Sequence, residues 1–359
     1  MNDTTQPSLA EGAPGERRLE RFSFTGTAGE YFGIWIVNIL LTILTLGIYS
    51  AWAKVRRQRY FYGNTKLAGR SFDYHARPMQ ILIGRIVVLA ALLVYNAVAT
   101  FFPVASLVLL ALLIAVTPWL IKRGLRFNAR VTSYRNVRLD FHGGFWGALL
   151  SFVIGPALAA VTLGILAPLA SRWAWRYTLG NVRYGGRKVD CTPRLGALYG
   201  QWWLPAIMVL LGTALLGLLA VAVFFPFGGA FAGADLGLAF LPVAVFIALA
   251  LIYGVAGLFY RAGVRNVAFN AAMLDGRHQF VSTLGRRRYA WISITNFLAT
   301  ICTIGLARPW AAVRMARYTA TATAVLVSGL LDDYLNQVEE TGPAVGAEYM
   351  DVEGIDFGF

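Results

Sequence analysis

Hydrophobic positions in this chain fall into long blocks rather than the short alternations of a soluble domain. Seven blocks are apolar enough to enter a bilayer, at residues 30–52, 80–101, 103–121, 145–170, 202–226, 237–258 and 289–307. About 20 apolar residues in a helix cross the hydrocarbon core, and every block is near that length, so each predicts a helix. Several of the polar stretches between blocks mix aromatic, β-branched and basic residues around a central Gly or Asn, which predicts β-hairpins. Isolated hairpins are marginal in water, so these are expected to pair into one small cytoplasmic sheet against the membrane face.

Charge sorts the blocks. Residues 53–79 hold seven Lys and Arg, and 122–144, 171–200 and 259–290 hold six each. The connections around Phe102-Pro103 and from Phe225 to Leu236 hold none. Basic loops stay cytoplasmic, so 80–101 with 103–121 and 202–226 with 237–258 form two spanning hairpins. The Gly-rich stretch 227–235 reads as an outer turn. The blocks 30–52, 145–170 and 289–307 are basic on both sides. Seven full spans would place a heavily basic loop outside; the alternative is that these three dip in and return, or lie along the interface. The second arrangement is the expected one: an α-helical multi-pass membrane protein with four spans, three repeated re-entrant or interfacial helical segments, a small cytoplasmic β-hairpin sheet and cytoplasmic termini.

The three unusual blocks repeat one another. They align on Gly47, Gly164 and Gly305, with Thr45, Thr162 and Thr303 two residues earlier. Ala53, Ala170 and Ala311 lie six residues later, and Arg59-Tyr60, Arg176-Tyr177 and Arg317-Tyr318 twelve and thirteen later. The first and third also share Asn38 with Asn296, Thr42 with Thr300 and Trp52 with Trp310. Such fixed offsets indicate duplication. The stretches just after the blocks repeat too: Asp73 corresponds to Asp190, Arg126-Phe127 opens a related unit with Asp140 fourteen residues on, and a weaker unit begins at Arg265. The organisation is therefore 1–28 polar tail, 29–79 first repeat with its hairpin, 80–121 first spanning pair, 122–200 basic hairpin with second repeat, 201–258 second spanning pair, 259–330 basic hairpin with third repeat, and 331–359 acidic tail.

The string from Asn38 through Gly47, Trp52, Arg59-Tyr60 and Asn64-Thr65 resembles the YjgN-like family of bacterial inner-membrane proteins. The resemblance covers about 22–330 and is densest at 22–78; the second repeat departs from it at Gly155-Pro156. It implies an inner-membrane location and carries no activity, the family being one of unknown function.

Composition agrees with a membrane body: 57% of residues are hydrophobic and 14% charged, against about 25% charged in soluble domains. The net charge of +14 hides a division, because residues 331–359 hold eight acidic residues and no Lys or Arg. The rest carries 32 basic and 10 acidic residues, a net of +22. The tail either docks on that basic body or recruits a protein partner, or is solvated. The first 20 residues are polar and predict no cleaved signal peptide. Cys191 and Cys302 are too few for a disulfide framework or a structural zinc site and read as small buried side chains.

Three groups of residues are candidate sites. Lys54, Arg56, Arg57, Arg59, Arg176, Arg286, Arg287, Arg288 and Arg317 sit beside apolar blocks among aromatic residues, which suits anionic headgroups better than nucleic acid; the same residues also set topology. Asn38, Thr42, Thr45, Arg85, Asn96, Asn296, Thr300 and Thr303 are polar groups in apolar surroundings. They either line a small polar pocket or serve packing, with Thr bonding backbone carbonyls and Arg85 snorkelling to the headgroups. Asp73 with His75 and Asp140 with His142 share a strand face two residues apart and present metal-type ligands; the plainer alternative is that each Asp pairs with a nearby Arg.

No nucleophile elbow, zinc-protease motif, P-loop or paired intramembrane carboxylate is present, so neither an enzyme nor a cofactor is expected. The expected role is a non-enzymatic membrane organiser that binds anionic lipid or a partner through a basic cytoplasmic face. The alternative is a transporter or channel for a small solute or lipid; the spans contain no Asp or Glu, which ion-coupled transport usually needs.

Overall fold

A computed structural model describes residues 17–232 and 235–328. Residues 1–16 of the expected polar tail 1–28, and the acidic tail 331–359 with the docking expected of it, lie outside the described residues; the rest of 1–28 is not a tail, because residues 17–24 pair into the sheet. The first strands, β1 (Arg17–Arg21) and β2 (Ser23–Phe24), lead into the helical hairpin α1 (Ala28–Leu44) and α2 (Ser50–Asn64). Next come β3 (Thr65–Leu67), β4 (Arg70–Tyr74) and the long hairpin α3 (Pro78–Phe101) and α4 (Pro103–Arg130). They are followed by β5 (Thr132–Tyr134) and β6 (Val137–Phe141), then by α5 (Phe145–Leu149), a π-helical turn at Leu150–Ile154, α6 (Gly155–Val161) and α7 (Ala167–Gly180). The last third comprises β7 (Val182–Tyr184), β8 (Arg187–Cys191), α8 (Leu195–Ala232), α9 (Asp235–Asn270), β9 (Ala272–Leu274), β10 (His278–Ser282), α10 (Arg286–Cys302), α11 (Arg308–Thr321) and β11 (Thr323–Ser328). Among the described residues, five helical hairpins thus alternate with strands, in the order short, long, short, long, short.

Four helices among the described residues are long and apolar enough to cross a membrane: Pro78–Phe101, Pro103–Arg130, Leu195–Ala222 and Pro242–Asn270. These are the four spans the charge pattern selects. Several boundaries differ from expectation, and α8 already begins at Leu195. Helices α4 and α9 run past the apolar blocks to Arg130 and Asn270, because their last turns pack on the sheet instead of ending at the membrane. Residues 227–232 are helical, so the Gly-rich outer turn is shorter than 227–235, and 233–234 lie outside the described residues.

The sheet is larger than the small one expected. Among the described residues, eleven strands run in the order β1-β11-β10-β9-β8-β7-β6-β5-β4-β3-β2. Both ends of this order are one stretch of chain: Arg17–Arg21 pairs with β11 and Ser23–Phe24 with β3, joined through Phe22. The sheet therefore curls into a near-barrel closed by its own N-terminal strand. Three two-residue turns and one three-residue turn (275–277) make the hairpins, with positive φ at Ala68-Gly69, Arg135-Asn136, Gly185-Gly186 and Asp275-Gly276. Two consecutive left-handed residues match the twist of flanking strands, and Gly or Asn supplies the second in each case.

One sheet face is apolar. Phe72 pairs with Tyr134, Leu139 with Tyr184 and Val189 with Leu274. The Tyr134 hydroxyl donates to the Leu67 carbonyl (2.7 Å) and Tyr184 to the Tyr134 carbonyl (3.1 Å). On the opposite face the register aligns Asp73, Ser133 and Arg138, then Asp140, Arg183 and Lys188. Helix bases pack on the sheet: the Tyr62 ring stacks on Tyr74, Phe269 meets Phe280 edge-on, and Phe141 meets Tyr177.

The second helical hairpin differs from the other two where Pro156 stands. Proline lacks an N–H and crowds the carbonyl four residues back, and there the ladder widens to a π-turn, with the Gly155 N–H bonding the Leu150 carbonyl. Cys191 is buried as expected, but Cys302 is exposed beside the turn between α10 and α11; its neighbours are too few at a hairpin end to cover it.

Candidate functional site

The three short helical hairpins are pinned by side chains in matching places. At the base, the Tyr60 hydroxyl donates to the Thr27 carbonyl (2.8 Å), Tyr177 to Gly144 (2.9 Å) and Tyr318 to Gly285 (3.1 Å). All three acceptors are N-caps of the hairpin's first helix. At the turn, Thr45, Thr162 and Thr303 each donate to the carbonyl four residues back, at 2.7 Å in all three. Each hydroxyl also accepts the N–H of the next helix's N-cap, from Tyr49, Leu166 and Ala307. One oxygen thereby satisfies groups on both helices where the chain reverses. The reversal uses positive φ at Leu46-Gly47, Leu163-Gly164 and Ile304-Gly305. Leu46, Leu163 and Ile304 are 95%, 91% and 95% exposed.

Contacts with the long helices fix how far these turns reach. Arg85, the eighth residue of α3, donates to the Ser50 hydroxyl just past the first turn. Trp202, the eighth residue of α8, donates to the Gly164 carbonyl in the second (2.8 Å), and the Tyr199 hydroxyl donates to Ile165 (3.2 Å). Arg85 also adds to burial, the larger cause, in lowering the pKa of Lys54.

Inside two of the short hairpins a buried asparagine meets an arginine. Arg56 donates to Asn38 Oδ1 (3.4 Å) and to the Tyr49 hydroxyl (3.2 Å). Arg314 donates to Asn296 Oδ1 (3.0 Å) and to Thr295 (2.7 Å) and lies over the Trp310 ring at 5.0 Å. Asn296 in turn donates to the Ala311 carbonyl (3.0 Å). Both arginines stand nine residues after the turn glycine, an offset the sequence carries but that hides in a run of similar cations. The Thr42 and Thr300 hydroxyls bond the carbonyls of Asn38 and Asn296, and Asn96 bonds Leu92 within its own helix. These polar groups are thus used along the backbone and in the Asn–Arg pairs.

The remaining basic candidates are spread around the hairpin bases. Arg59 donates to the Tyr74 carbonyl (3.3 Å), Arg57 lies over Phe61 at 5.9 Å and Arg286 donates to Gln201. Arg176 and Arg287 are exposed. Arg288 lies over the Tyr318 ring at 5.3 Å, and Arg317 donates to the Gly26 carbonyl (3.1 Å). Arg288, Arg314 and Arg317 border one cavity of about 560 Å³, together with Trp291, Trp310 and Tyr318.

The metal-type residues stand as two separate Asp–His pairs. Asp140 meets Arg130 at 3.2 Å, and His142 stands 3.7 Å away; burial holds the His142 pKa below its usual value against the opposing pull of Asp140. His75 bonds Ser133 (2.8 Å) and borders a separate cavity of about 290 Å³ with Arg59 and Asp73. Among the described residues no group of three or more His, Cys, Asp or Glu could hold an ion. The Asp140–Arg130 pair matches the plainer alternative, an Asp paired with a nearby Arg.

Four apolar helices of membrane-crossing length on a common sheet define an integral membrane protein. Residues 19–352 match the model of a family described as bacterial protein of unknown function (DUF898), and the chain belongs to that family. It is 35% identical over 149 residues to the inner membrane protein YjgN of Salmonella typhimurium, a match covering 41% of this chain and 38% of that protein. It is likewise 35% identical over 147 residues to inner membrane protein YjgN of Escherichia coli strain K12, covering 40% and 36%. The match therefore spans under two fifths of these relatives' length. No solved structure matches the chain.

Proposed function

We propose that the protein is a non-enzymatic organiser of the bacterial inner membrane, holding anionic lipid, or a protein partner, along a basic cytoplasmic face. One observation carries this: all five helical hairpins of the described residues leave from and return to the same sheet. A hairpin that starts and ends on one sheet enters and leaves the bilayer on one side, and its Arg- and Lys-rich base stays with the sheet. Basic flanks favour the cytoplasmic side, and the relatives' description as inner membrane proteins supports the location.

Depth supports a re-entrant role for the short hairpins. Two of their turns meet the eighth residue of a spanning helix, roughly 10 Å along it at 1.5 Å per residue. The bilayer midplane lies about 15 Å below the hydrocarbon surface. The turns therefore dip into one leaflet, with Leu46, Leu163 and Ile304 among the acyl chains and the arginines near the phosphates.

Each cation near an anionic surface contributes about 1 kcal/mol, roughly a fivefold preference. Protein extracted with its surrounding lipid in polymer-bounded discs is expected to be several-fold enriched in anionic phospholipid relative to the bulk membrane. A composition equal to bulk sinks the lipid role. Solute or lipid flux in proteoliposomes above that of empty liposomes would transfer the assignment to a transporter.

A further inference from the structure

The cavity of about 560 Å³ in the third short hairpin is more specific than a basic surface. Among the described residues its lining includes three arginines and no carboxylate. Arg288 is in the first turn of α10, and Arg317 and Tyr318 are in the last turns of α11, so this cationic end lies at the sheet. Trp310 is the third residue of α11, at the opposite end, and Trp291 stands between. From Arg317 to Trp310 the helix rises roughly 10 Å. Two guanidiniums thus stand at the sheet end and two indoles toward the hairpin turn, where the third guanidinium, Arg314, is taken up by Trp310, Thr295 and Asn296.

The same places in the other hairpins do not repeat this set. Seventeen residues before the turn glycine, where the third hairpin has Arg288, the first has Glu30 and the second Gly147. Glu30 accepts from the Thr27 N–H (3.4 Å) and sits 3.1 Å from the Tyr60 hydroxyl, so an anion there would meet a carboxylate. Where the third hairpin has Trp291, the first has Gly33. The Arg288 and Arg314 guanidiniums lie over Tyr318 and Trp310, which orients them while leaving N–H donors at their edges.

We propose that this cavity binds one phosphate-bearing amphiphile, an anionic phospholipid of the cytoplasmic leaflet, with its phosphate between Arg288 and Arg317 and a chain along Trp291 and Trp310. The assignment rests on the lipid-binding reading above and narrows it to one site. Planar guanidiniums pair with phosphate oxygens two at a time. The polarity of the groove, cationic at the sheet and aromatic toward the turn, is that of a lipid lying in the leaflet into which the hairpin dips. Free phosphate shares the headgroup chemistry and has no use for the aromatic end.

The test uses the full chain in detergent, titrated with dioctanoyl phosphatidylglycerol, dioctanoyl phosphatidylcholine or inorganic phosphate, with bound molecules counted by native mass spectrometry. One phosphatidylglycerol is expected to bind in preference to phosphatidylcholine. Arg288→Gln and Arg288→Glu are each expected to weaken it roughly tenfold, the effect of one charge-assisted hydrogen bond, and Arg288→Lys less. Arg288→Glu places there the residue the first hairpin already carries, and an unchanged melting temperature confirms that the hairpin still folds. Trp291→Ala is expected to weaken phosphatidylglycerol and leave phosphate binding unchanged. Equal binding of the two lipids, or unchanged affinity in both Arg288 variants, overturns the site. Phosphate binding as tightly as the lipid makes it a free-anion site and overturns the lipid assignment. If the wild type selects phosphatidylglycerol but only Arg56→Gln with Arg57→Gln abolishes this, the cavity fails while the broader lipid role stands; if the wild type selects no anionic lipid, both fall.

Discussion

Leu46, Leu163 and Ile304 hold left-handed backbone, which costs an L-residue roughly 1–2 kcal/mol and is least tolerated by a β-branched side chain such as Ile304. Gly or Asn would remove that strain, so the large apolar residues point to a gain elsewhere. Moving such a side chain out of water returns about 1.5–3 kcal/mol, enough to offset the backbone cost if the turns lie in lipid. The sequence displayed the repeated spacing of the turn glycines but not the strain before them, since a left-handed Ile has no sequence signature. Tyr74 shows the opposite situation. Its hydroxyl is buried without a hydrogen-bond partner among the described residues, and burial pushes its pKa up to about 12 from 10. The folded state thus favours the neutral phenol: that contribution is fully present below pH 10 and is lost as pH rises through 12. Tyr74→Phe is expected to leave stability at pH 7 unchanged or up to about 1 kcal/mol higher, because a buried unpaired hydroxyl is removed. The variant should also flatten the loss between pH 10 and 12. Thermal unfolding of both proteins in detergent across pH checks this; a steeper loss in the variant would contradict it.

At the scale of an element, the helical hairpin was legible at its turn and its base. Thr45, Thr162 and Thr303 close both helices with one hydroxyl, and Tyr60, Tyr177 and Tyr318 tie the base. Both sets stand at fixed offsets in the sequence, because each makes a local contact that fixed spacing can encode. Thr303→Val keeps the shape and removes two hydrogen bonds; a loss of about 1–2 kcal/mol is expected, as for a helix cap. Thr303→Ser should recover most of it, and a Thr303→Val protein as stable as wild type would show that the hydroxyl is dispensable. Less legible was the Asn–Arg pair of the third hairpin, where Arg314 reaches Asn296 across the hairpin. Arg56 and Arg314 share an offset, but nothing in a basic run tells which cation turns inward. The strands β1 and β11 were missed altogether, because their pairing joins residues about 300 positions apart.

For the whole molecule, the return of every described hairpin to one sheet makes a topological prediction. Single cysteines at Lys66 and Lys188, in a background with Cys191→Ala and Cys302→Ala, are expected to react with a membrane-impermeant maleimide in inverted vesicles and not in intact spheroplasts. A cysteine at Phe102, between α3 and α4, is expected to do the reverse. Seven full spans would place Lys66 and Lys188 on opposite sides, because the blocks 80–101, 103–121 and 145–170 would each cross between them; labelling of either from outside would refute the common sheet. In the native background Cys191 should resist labelling, since burial raises its thiol pKa to about 11 and the thiolate is the reactive form.

The sequence by itself determined the four spans, their pairing, the basic stretches that flank them and the residues of the hairpin turns. These come from hydropathy, charge and local spacing, which act within about twenty residues. Only the tertiary structure decided that the hairpins join into one eleven-stranded near-barrel closed by Arg17–Phe24. It alone placed two of the short turns level with the eighth residue of a neighbouring span, and gathered Arg288, Arg314 and Arg317 around one cavity. Those outcomes depend on strand register and on helices meeting far from each other in the chain, and no local pattern of residues records which distant partner a strand or a side chain will find.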